Sequence, residues 1–280
     1  MQILNASQQQ WLESHPYLRQ IARLQEVVTQ AVESAALPAL PFPNWEAYAA
    51  DYAAGVPLLI SSSAAIEVSQ RAAKPLTEIV ARLADAALPQ PLRNSCAQLR
   101  DEFARSPQQC IRAVDSVVRG TPTEQPSGDA GLRQFLVWSV LKPLLAPLRE
   151  AFQQWRSEET WRREFCPTCG SLPMMAQLVP SSQGVRERLL ACGCCETRWK
   201  YKRIGCPFCG NEDSDLLEIL TVEDDQKLRI DACRQCRGYL KTYIEVGQEE
   251  LLLADWSTLH LDALAQERGL ERRGKSLYQL

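Results

Sequence analysis

Two near-identical segments, C-P-T-C-G at residues 166–170 and C-P-F-C-G at 206–210, decide the fold of this chain. A further C-x-x-C pair follows each of them, and the second copy repeats the first at a distance of 40 or 41 residues. Within each copy, 22 or 23 residues separate the two pairs. This spacing is typical of a ribbon that holds a metal with four cysteines.

The C-x-x-C-G turn has a shape that suits a metal, because it lets two thiolates point the same way. Pro167 and Pro207 restrict φ inside the turns, and Gly170 and Gly210 can take the positive φ that closes them. Four converging thiolates select zinc or iron over magnesium or calcium. The repeat therefore predicts two four-cysteine metal sites, with a disulfide framework as the alternative. The predicted ligands are Cys166, Cys169, Cys192 and Cys195 in the first site, and Cys206, Cys209, Cys233 and Cys236 in the second.

Composition is that of an ordinary globular protein with reduced thiols. The 280 residues favour more than one domain, and the net charge of −3 gives no general attraction for nucleic acid or acidic lipid. Cysteines outside the pairs suit a reducing compartment. Residues 1–10 lack the basic run and apolar core of a signal peptide, and the most apolar stretch, 135–148, is interrupted by Lys142 and two prolines. We therefore expect a soluble, cytoplasmic protein without membrane insertion.

Residues 1–160 carry helical periodicity and little strand signal, which predicts an all-α domain. Apolar residues spaced three and four apart between Leu18 and Ala35 indicate one buried helical face. Residues 120–131 indicate a loop by composition. The isolated Cys96 and Cys110 are expected in the core. Further helices are predicted over 45–54, 64–88 with a break or kink at Pro75, 91–105, 107–119 and 132–155.

From Phe165 onward the pattern changes to short apolar runs between turn-like polar stretches, which indicates strands that carry the cysteine pairs. Residues 251–266 predict a closing helix, and the charged tail from Arg268 is expected to be loosely ordered. The predicted fold class is thus multidomain, α plus small β. Its parts are an all-helical domain at 1–160, rubredoxin-like four-cysteine ribbons at 161–203 and 204–248, and a closing helix and tail at 249–280.

These segments resemble the formate dehydrogenase accessory proteins of the FdhE family. The resemblance is specific from residue 165 to about 269 and only architectural before that. Cys194 departs from the pattern as a third cysteine in the second pair; Cys192 and Cys195 are preferred because they keep the two-residue gap. The matching segments are C-P-T-C-G-S-L-P (166–173), residues 188–192 leading into C-C-E-T-R-W (194–199), C-P-F-C-G (206–210), C-R-Q-C-R-G-Y-L-K (233–241) and A-D-W-S-T-L-H-L-D-A-L-A-Q-E-R-G (254–269).

The resemblance implies a cytoplasmic, non-enzymatic factor that helps to mature respiratory formate dehydrogenase and binds its catalytic subunit. Because the family is rubredoxin-like, it implies iron as much as zinc. No phosphate-cradling loop, G-x-S-x-G or H-E-x-x-H motif is present, and both histidines are remote in sequence from the cysteines. The residues expected to contact the partner are Arg198, Lys200 and Lys202 in the basic stretch, and Tyr239 and Lys241 after the last cysteine pair.

Two other functions stay open at this point. Iron in four-cysteine sites would suit an electron carrier that acts on formate dehydrogenase. The basic and aromatic residues 198–203 would suit a nucleic-acid-binding zinc ribbon. Residues 161–245 contain 13 lysines or arginines against 12 acidic residues. Each zinc tetrathiolate adds about two negative charges, so the region lacks the positive charge that phosphate binding requires.

Overall fold

The computed structural model describes residues 5–121, 130–181, 184–222 and 225–278, without the side chains of residues 62 and 63. The chain divides into two compact units. The first comprises Met1–Tyr52 and Val56–Trp155, and the second comprises Ala53–Gly55 and Arg156–Leu280. After the short segment 53–55, the second unit therefore begins at Arg156, and the domain boundaries given by the sequence stay predictions.

The first unit is helical, as predicted. Its helices are α1 (Ala6–Ser14), α2 (Arg19–Glu33), α3 (Trp45–Ala54, the last two residues of which belong to the second unit), α4 (Ser62–Ala84), α5 (Gln90–Arg105), α6 (Pro107–Arg119) and α7 (Ala130–Trp155). Of the predicted loop at 120–131, residues 122–129 lie outside the described residues. Of the two predicted alternatives at Pro75, the break does not occur, because α4 continues through that residue, and the kink stays a prediction.

Helix ends in this unit follow the chemistry of the sequence. Pro107 opens α6, where its missing N–H costs nothing, and Gly120 ends the same helix with a φ of 65°.

Cys96 and Cys110 are 1% exposed, which confirms their expected place in the core. The buried side of α2 is shifted from the predicted face, and its members are Ala22, Val27, Val28, Ala31 and Val32.

The second unit is built on one seven-stranded sheet. Its strands are β1 (Met175–Val179), β2 (Glu187–Ala191), β3 (Arg198–Tyr201), β4 (Leu217–Val222), β5 (Asp225–Cys233), β6 (Gly238–Ile244) and β7 (Glu271–Arg272). Their order is β3-β2-β1-β6-β5-β4, and β7 also pairs with β6. Each repeat supplies one antiparallel set of three strands, β1–β3 and β4–β6, so the internal repeat of the sequence is a repeat of structure.

The two repeats are joined edge to edge. β1 of the first repeat pairs in parallel with β6 of the second, from Met175 opposite Lys241 to Leu178 opposite Ile244. The spacing of the cysteines predicts the ribbons but not this shared sheet, because the pairing depends on strands that are far apart in sequence. Whether each ribbon folds separately stays a prediction.

The segment after β6 differs from the prediction in two ways: its helix is divided into shorter elements, and its tail forms a strand. The predicted closing helix is divided into α8 (Glu249–Leu252), a 3-10 helix (Asp255–Thr258) and α9 (Leu259–Glu267). The prediction of a loosely ordered tail is wrong for residues 268–278. Glu271 and Arg272 form β7, which pairs with β6, and Arg272 forms an ion pair with Asp262. Arg272, a charged residue of the tail, therefore contributes to the packing of the second unit.

Candidate metal centres

The eight cysteines of the four pairs meet in two groups of four. Each repeat places one pair before its first strand and the other in the turn between its second and third strands. The first group contains Cys166, Cys169, Cys192 and Cys195, and the second contains Cys206, Cys209, Cys233 and Cys236. In each group all Sγ atoms lie within 4.8 Å of one another. The ligands of each predicted site are therefore close in space and come from one repeat.

Equivalent hydrogen bonds close the first turn of each group. Gly170 donates its N–H to the carbonyl of Cys166 at 2.9 Å, and Gly210 donates to Cys206 at 3.0 Å. The two glycines have φ values of 76° and 75°, as the sequence predicted. In the second turn of each group, the same position after the second cysteine is left-handed but carries a side chain: Glu196 with φ 61° and Arg237 with φ 58°. These two residues were not identified from the sequence, because only glycine signals such a turn.

Sulfur separations fit a tetrahedral metal and exclude disulfides. The Sγ atoms of Cys166 and Cys195 are 3.4 Å apart, and those of Cys169 and Cys192 are 3.5 Å apart. In the second group, Cys206–Cys236 and Cys209–Cys233 are each separated by 3.7 Å. A tetrahedral site with metal–sulfur bonds of about 2.3 Å has an S···S edge of about 3.8 Å. A disulfide would bring two sulfurs to about 2.05 Å.

The electrostatics of the first group also favour a bound cation. Burial raises the pKa of Cys166 and Cys192 well above the usual value. For Cys195 burial acts in the same direction, but hydrogen bonds from the other sulfurs and from Thr197 outweigh it and lower the pKa. Four sulfurs whose pKa values are shifted by one another thus share one buried centre. A divalent or trivalent metal at the centre would replace their protons and convert all four into thiolate ligands.

Donors around the sulfurs complete the fit. In the second group, the N–H groups of Phe208 and Gly238 donate to the Sγ atoms of Cys206 and Cys236, each at 3.4 Å. The Thr197 hydroxyl lies 3.2 Å from the Sγ of Cys195 in the first group. Such hydrogen bonds orient metal-bound thiolates and reduce their charge. Zinc in these groups would fix the loops, and iron could in addition exchange one electron.

The two groups differ in their exposure to solvent. All four cysteines of the first group are buried, with at most 5% of any residue exposed. In the second group Cys206 and Cys233 are buried, but Cys236 is half-buried and Cys209 is exposed. A metal in the second group would therefore lie nearer to solvent than one in the first.

Cys194 lies beside the first group without belonging to it. Its side chain is fully buried and accepts a hydrogen bond from the Ser171 hydroxyl at 3.6 Å. The sulfurs that converge are those of Cys192 and Cys195, the pair that the two-residue gap favours.

The basic residues of β3 and the following loop are engaged by acidic and polar neighbours. Lys200 pairs with Glu159 at 3.0 Å and with Glu187 at 3.1 Å. Lys202 pairs with Glu212, and Arg198 donates a hydrogen bond to Gln177 at 2.7 Å. Each of these three basic side chains keeps part of its surface in solvent, so their contact with a partner stays a prediction.

Tyr239 and Lys241 occupy a different environment from the predicted one. They are 3% and 1% exposed. Lys241 pairs with Asp255 at 2.6 Å and with Asp262 at 2.8 Å, and the Tyr239 hydroxyl donates to Asp262 at 2.6 Å. Their role is therefore to hold the 3-10 helix and α9 against β6, and neither side chain is available to a partner. The sequence did not reveal this because the acidic partners follow Lys241 by 14 and 21 residues.

Comparison with known proteins agrees with this geometry. A family model described as the central domain of FdhE matches residues 165–203, which include the whole first cysteine group. FdhE homologues from Aquifex aeolicus and Pseudomonas aeruginosa are 32% and 35% identical over 149 and 158 residues, and FdhE from Escherichia coli is 30% identical over 141 residues. Over these segments the chain is similar to FdhE proteins.

Similarity to FdhE proteins extends over the fold of the whole chain. The crystal structure of the FdhE protein from Pseudomonas aeruginosa aligns with 96% of this chain and 91% of its own, with a TM-score of 0.64 and 24% sequence identity. At that identity the likeness shows a shared fold. In sequence, the chain spans about half the length of the curated relatives that it matches, from 44% to 51%. Among the described residues, every helix is too short or too polar to cross a membrane.

Proposed function

We propose that this FdhE-type chain is a non-enzymatic assembly factor that binds the catalytic subunit of respiratory formate dehydrogenase in the cytoplasm during maturation. The observation that carries the proposal is the presence of two four-cysteine groups on a fold shared with an FdhE protein. The family resemblance supplies the partner.

The ligand set supports a binding role over catalysis. Each group offers four cysteine sulfurs, which fill a tetrahedral metal and leave no open position for a substrate or an activated water. Metals held in this way fix surface loops at low entropic cost, and such preorganised loops suit recognition. We therefore expect iron or zinc to shape the binding surface of the second unit.

A second candidate, an electron carrier, is favoured by one observation. Cys209 is exposed and Cys236 is half-buried, so an iron atom in the second group would lie close enough to solvent for electron exchange with a partner. A nucleic-acid-binding ribbon is disfavoured, because Lys200 and Lys202 are paired with carboxylates of the same unit. A docked phosphate would have to displace these carboxylates.

The test combines binding with enzyme maturation. The tagged chain is used to capture the catalytic subunit, and formate dehydrogenase activity is measured in a strain that lacks the chain. We expect capture by the unchanged protein, loss of capture by Cys206→Ser, and retention by the control Cys96→Ala, a cysteine outside both groups. Normal enzyme activity without the chain, together with no association, would refute the assembly role.

Metal substitution separates the two candidates. A structural metal predicts that zinc-loaded and iron-loaded chains bind the catalytic subunit and restore activity equally. An electron carrier predicts that the zinc-loaded chain binds but fails to restore activity.

A further inference from the structure

A pocket of about 310 Å³ opens in the second unit beside the second cysteine group. It lies between β4, the facing part of β5 and the loop at 203–208, and Cys206 and Cys233 form part of its lining. Pockets of this volume are at the lower end of those that bind small ligands, and they also accommodate one or two large side chains. The pocket thus lies next to the more exposed of the two groups.

Apolar side chains surround the pocket and remain open to solvent. Ile204 and Ile219, which both line it, are 59% and 56% exposed. Phe208 and Leu217 continue the apolar lining. Exposed apolar residues that meet at one pocket are typical of a binding surface, because scattered ones would not bury a shared area.

The strand beside the pocket is an edge strand. β4 is at the end of the sheet and, in the part of the chain that the structure describes, pairs only with β5. Its outer edge carries backbone N–H and C=O groups that an added strand can use. Leu217, Glu218 and Ile219 belong to both β4 and the pocket lining, so an added strand would place its side chains at the pocket.

The polar side chains of the pocket have a positive excess. Arg188 is 4% exposed and donates from Nη1 to the carbonyl of Gly205 at 2.8 Å, but its Nε has no acceptor among the described residues. The Oδ1 atom of Asp231 forms an ion pair with the Nε atom of Arg229 at 2.8 Å. A buried donor without an acceptor is unfavourable, so an incoming oxygen that accepts from it is favoured. Because Cys206 and Cys233 also line the pocket and would be anionic with a metal bound, a single carboxylate fits better than an acidic run.

We propose that the pocket is the docking site for an extended segment of the catalytic subunit. The segment adds as a strand to the outer edge of β4, places one bulky apolar side chain in the pocket, and presents one carboxylate to Arg188 and Arg203. This inference rests on the proposed function, since the partner is the one named there.

The apolar part of the proposal is tested with a matched pair of variants. Ile219→Asp puts a charge at the pocket, whereas Val246→Asp changes an equally exposed residue of the same unit that does not line it. Binding of the purified catalytic subunit to the full chain is titrated by biolayer interferometry. We expect Ile219→Asp to weaken binding about tenfold or more and Val246→Asp to leave it unchanged. Far-UV circular dichroism and metal content verify that both variants fold.

The charge of the segment is tested with two exposed rim residues. Arg203→Glu is expected to weaken binding about two- to fivefold, and Glu218→Lys to strengthen it by a similar factor. Both effects should shrink as salt is raised. The reverse signs would overturn the acidic character of the segment.

Three further outcomes distinguish failure of the docking site from failure of the assembly role. Equal binding by the unchanged chain, Ile219→Asp and Val246→Asp would overturn the docking site and leave the assembly role standing. No binding by the unchanged chain would overturn both. If sedimentation shows that the chain dimerises and that Ile219→Asp makes it monomeric without changing its binding to the subunit, the pocket holds a second copy, and the proposal is wrong.

Discussion

Replacing Lys241 by methionine should destabilise the second unit strongly. The Lys241 ammonium is 1% exposed and lies between two carboxylates, Asp255 and Asp262, whose side chains are 5% and 1% exposed. Without Lys241, both acids depend on Arg272 for an ion pair. One buried negative charge then has no compensating cation. Breaking a buried pair in this way costs about 3–5 kcal/mol.

The control is Lys200→Met. Lys200 also pairs with two carboxylates, Glu159 and Glu187, but these are 61% and 41% exposed. Its removal should cost at most about 1 kcal/mol. Urea unfolding of metal-loaded protein, followed by far-UV circular dichroism at pH 7, gives the free energy of unfolding of each variant. A cost for Lys241→Met below about 1 kcal/mol, or equal to that of Lys200→Met, would refute the reasoning.

The pH dependence supplies a second check. Burial acts to raise the pKa of Asp255, but the charges of Lys241 and Arg272 outweigh it and hold that pKa below the usual value. A carboxyl group with a lowered pKa adds stability above its unfolded pKa of about 3.9 and loses it as the pH falls through the folded value. Without Lys241 the pKa of Asp255 rises. The difference between the variant and the unchanged chain should therefore narrow as the pH falls from 7 towards 4.

Three further predictions follow from the metal groups and the core. A strong chelator should unfold residues 165–245 and spare the helices, because each metal contributes on the order of 10 kcal/mol; circular dichroism and protease resistance that survive complete metal loss would contradict this. Gly210→Ala should lower the stability of the second group by about 1–2 kcal/mol, since φ is +75° although a Cβ meets no atom within 4 Å, and Gly210→Asn should cost less. Burial raises the pKa of Cys96 and Cys110 to about 11, so mass spectrometry should find both unalkylated by iodoacetamide at pH 8 in the folded chain.

Local signals in the sequence were sufficient for the cysteine groups and for most helices. Cysteine spacing places Cys166 with Cys169 and Cys206 with Cys209 because the turn that joins two ligands is only four residues long. Helix ends such as Pro107 and Gly120 are also local, since the missing N–H and the permitted φ belong to the residue itself. These features need no knowledge of the rest of the chain.

Features that depend on distant partners could not be read in the same way. The parallel pairing of β1 with β6 joins residues 66 positions apart, Met175 and Lys241, and no local pattern records it. Lys241 has the same appearance in the sequence as the partly exposed Lys200, and only the positions of Asp255 and Asp262 make it an internal residue. The same reason explains why the tail around Arg272 was expected to be loose.

The left-handed turns at Glu196 and Arg237 lie between the features that local sequence predicts and those that depend on distant partners. They occupy the position that Gly170 and Gly210 occupy in the other turns. An alignment of the four C-x-x-C segments with one another would have pointed to them, because equivalent turns require equivalent backbone. The turns were not predicted because neither residue is a glycine.

We expect each repeat to hold its own metal with its own four cysteines. Native mass spectrometry of the anaerobically purified chain tests it most directly. We predict two metal ions in the unchanged chain and one in Cys233→Ser, held by the four cysteines of the first group. A single metal per chain, or loss of both ions from Cys233→Ser while the second unit stays folded, would contradict the claim.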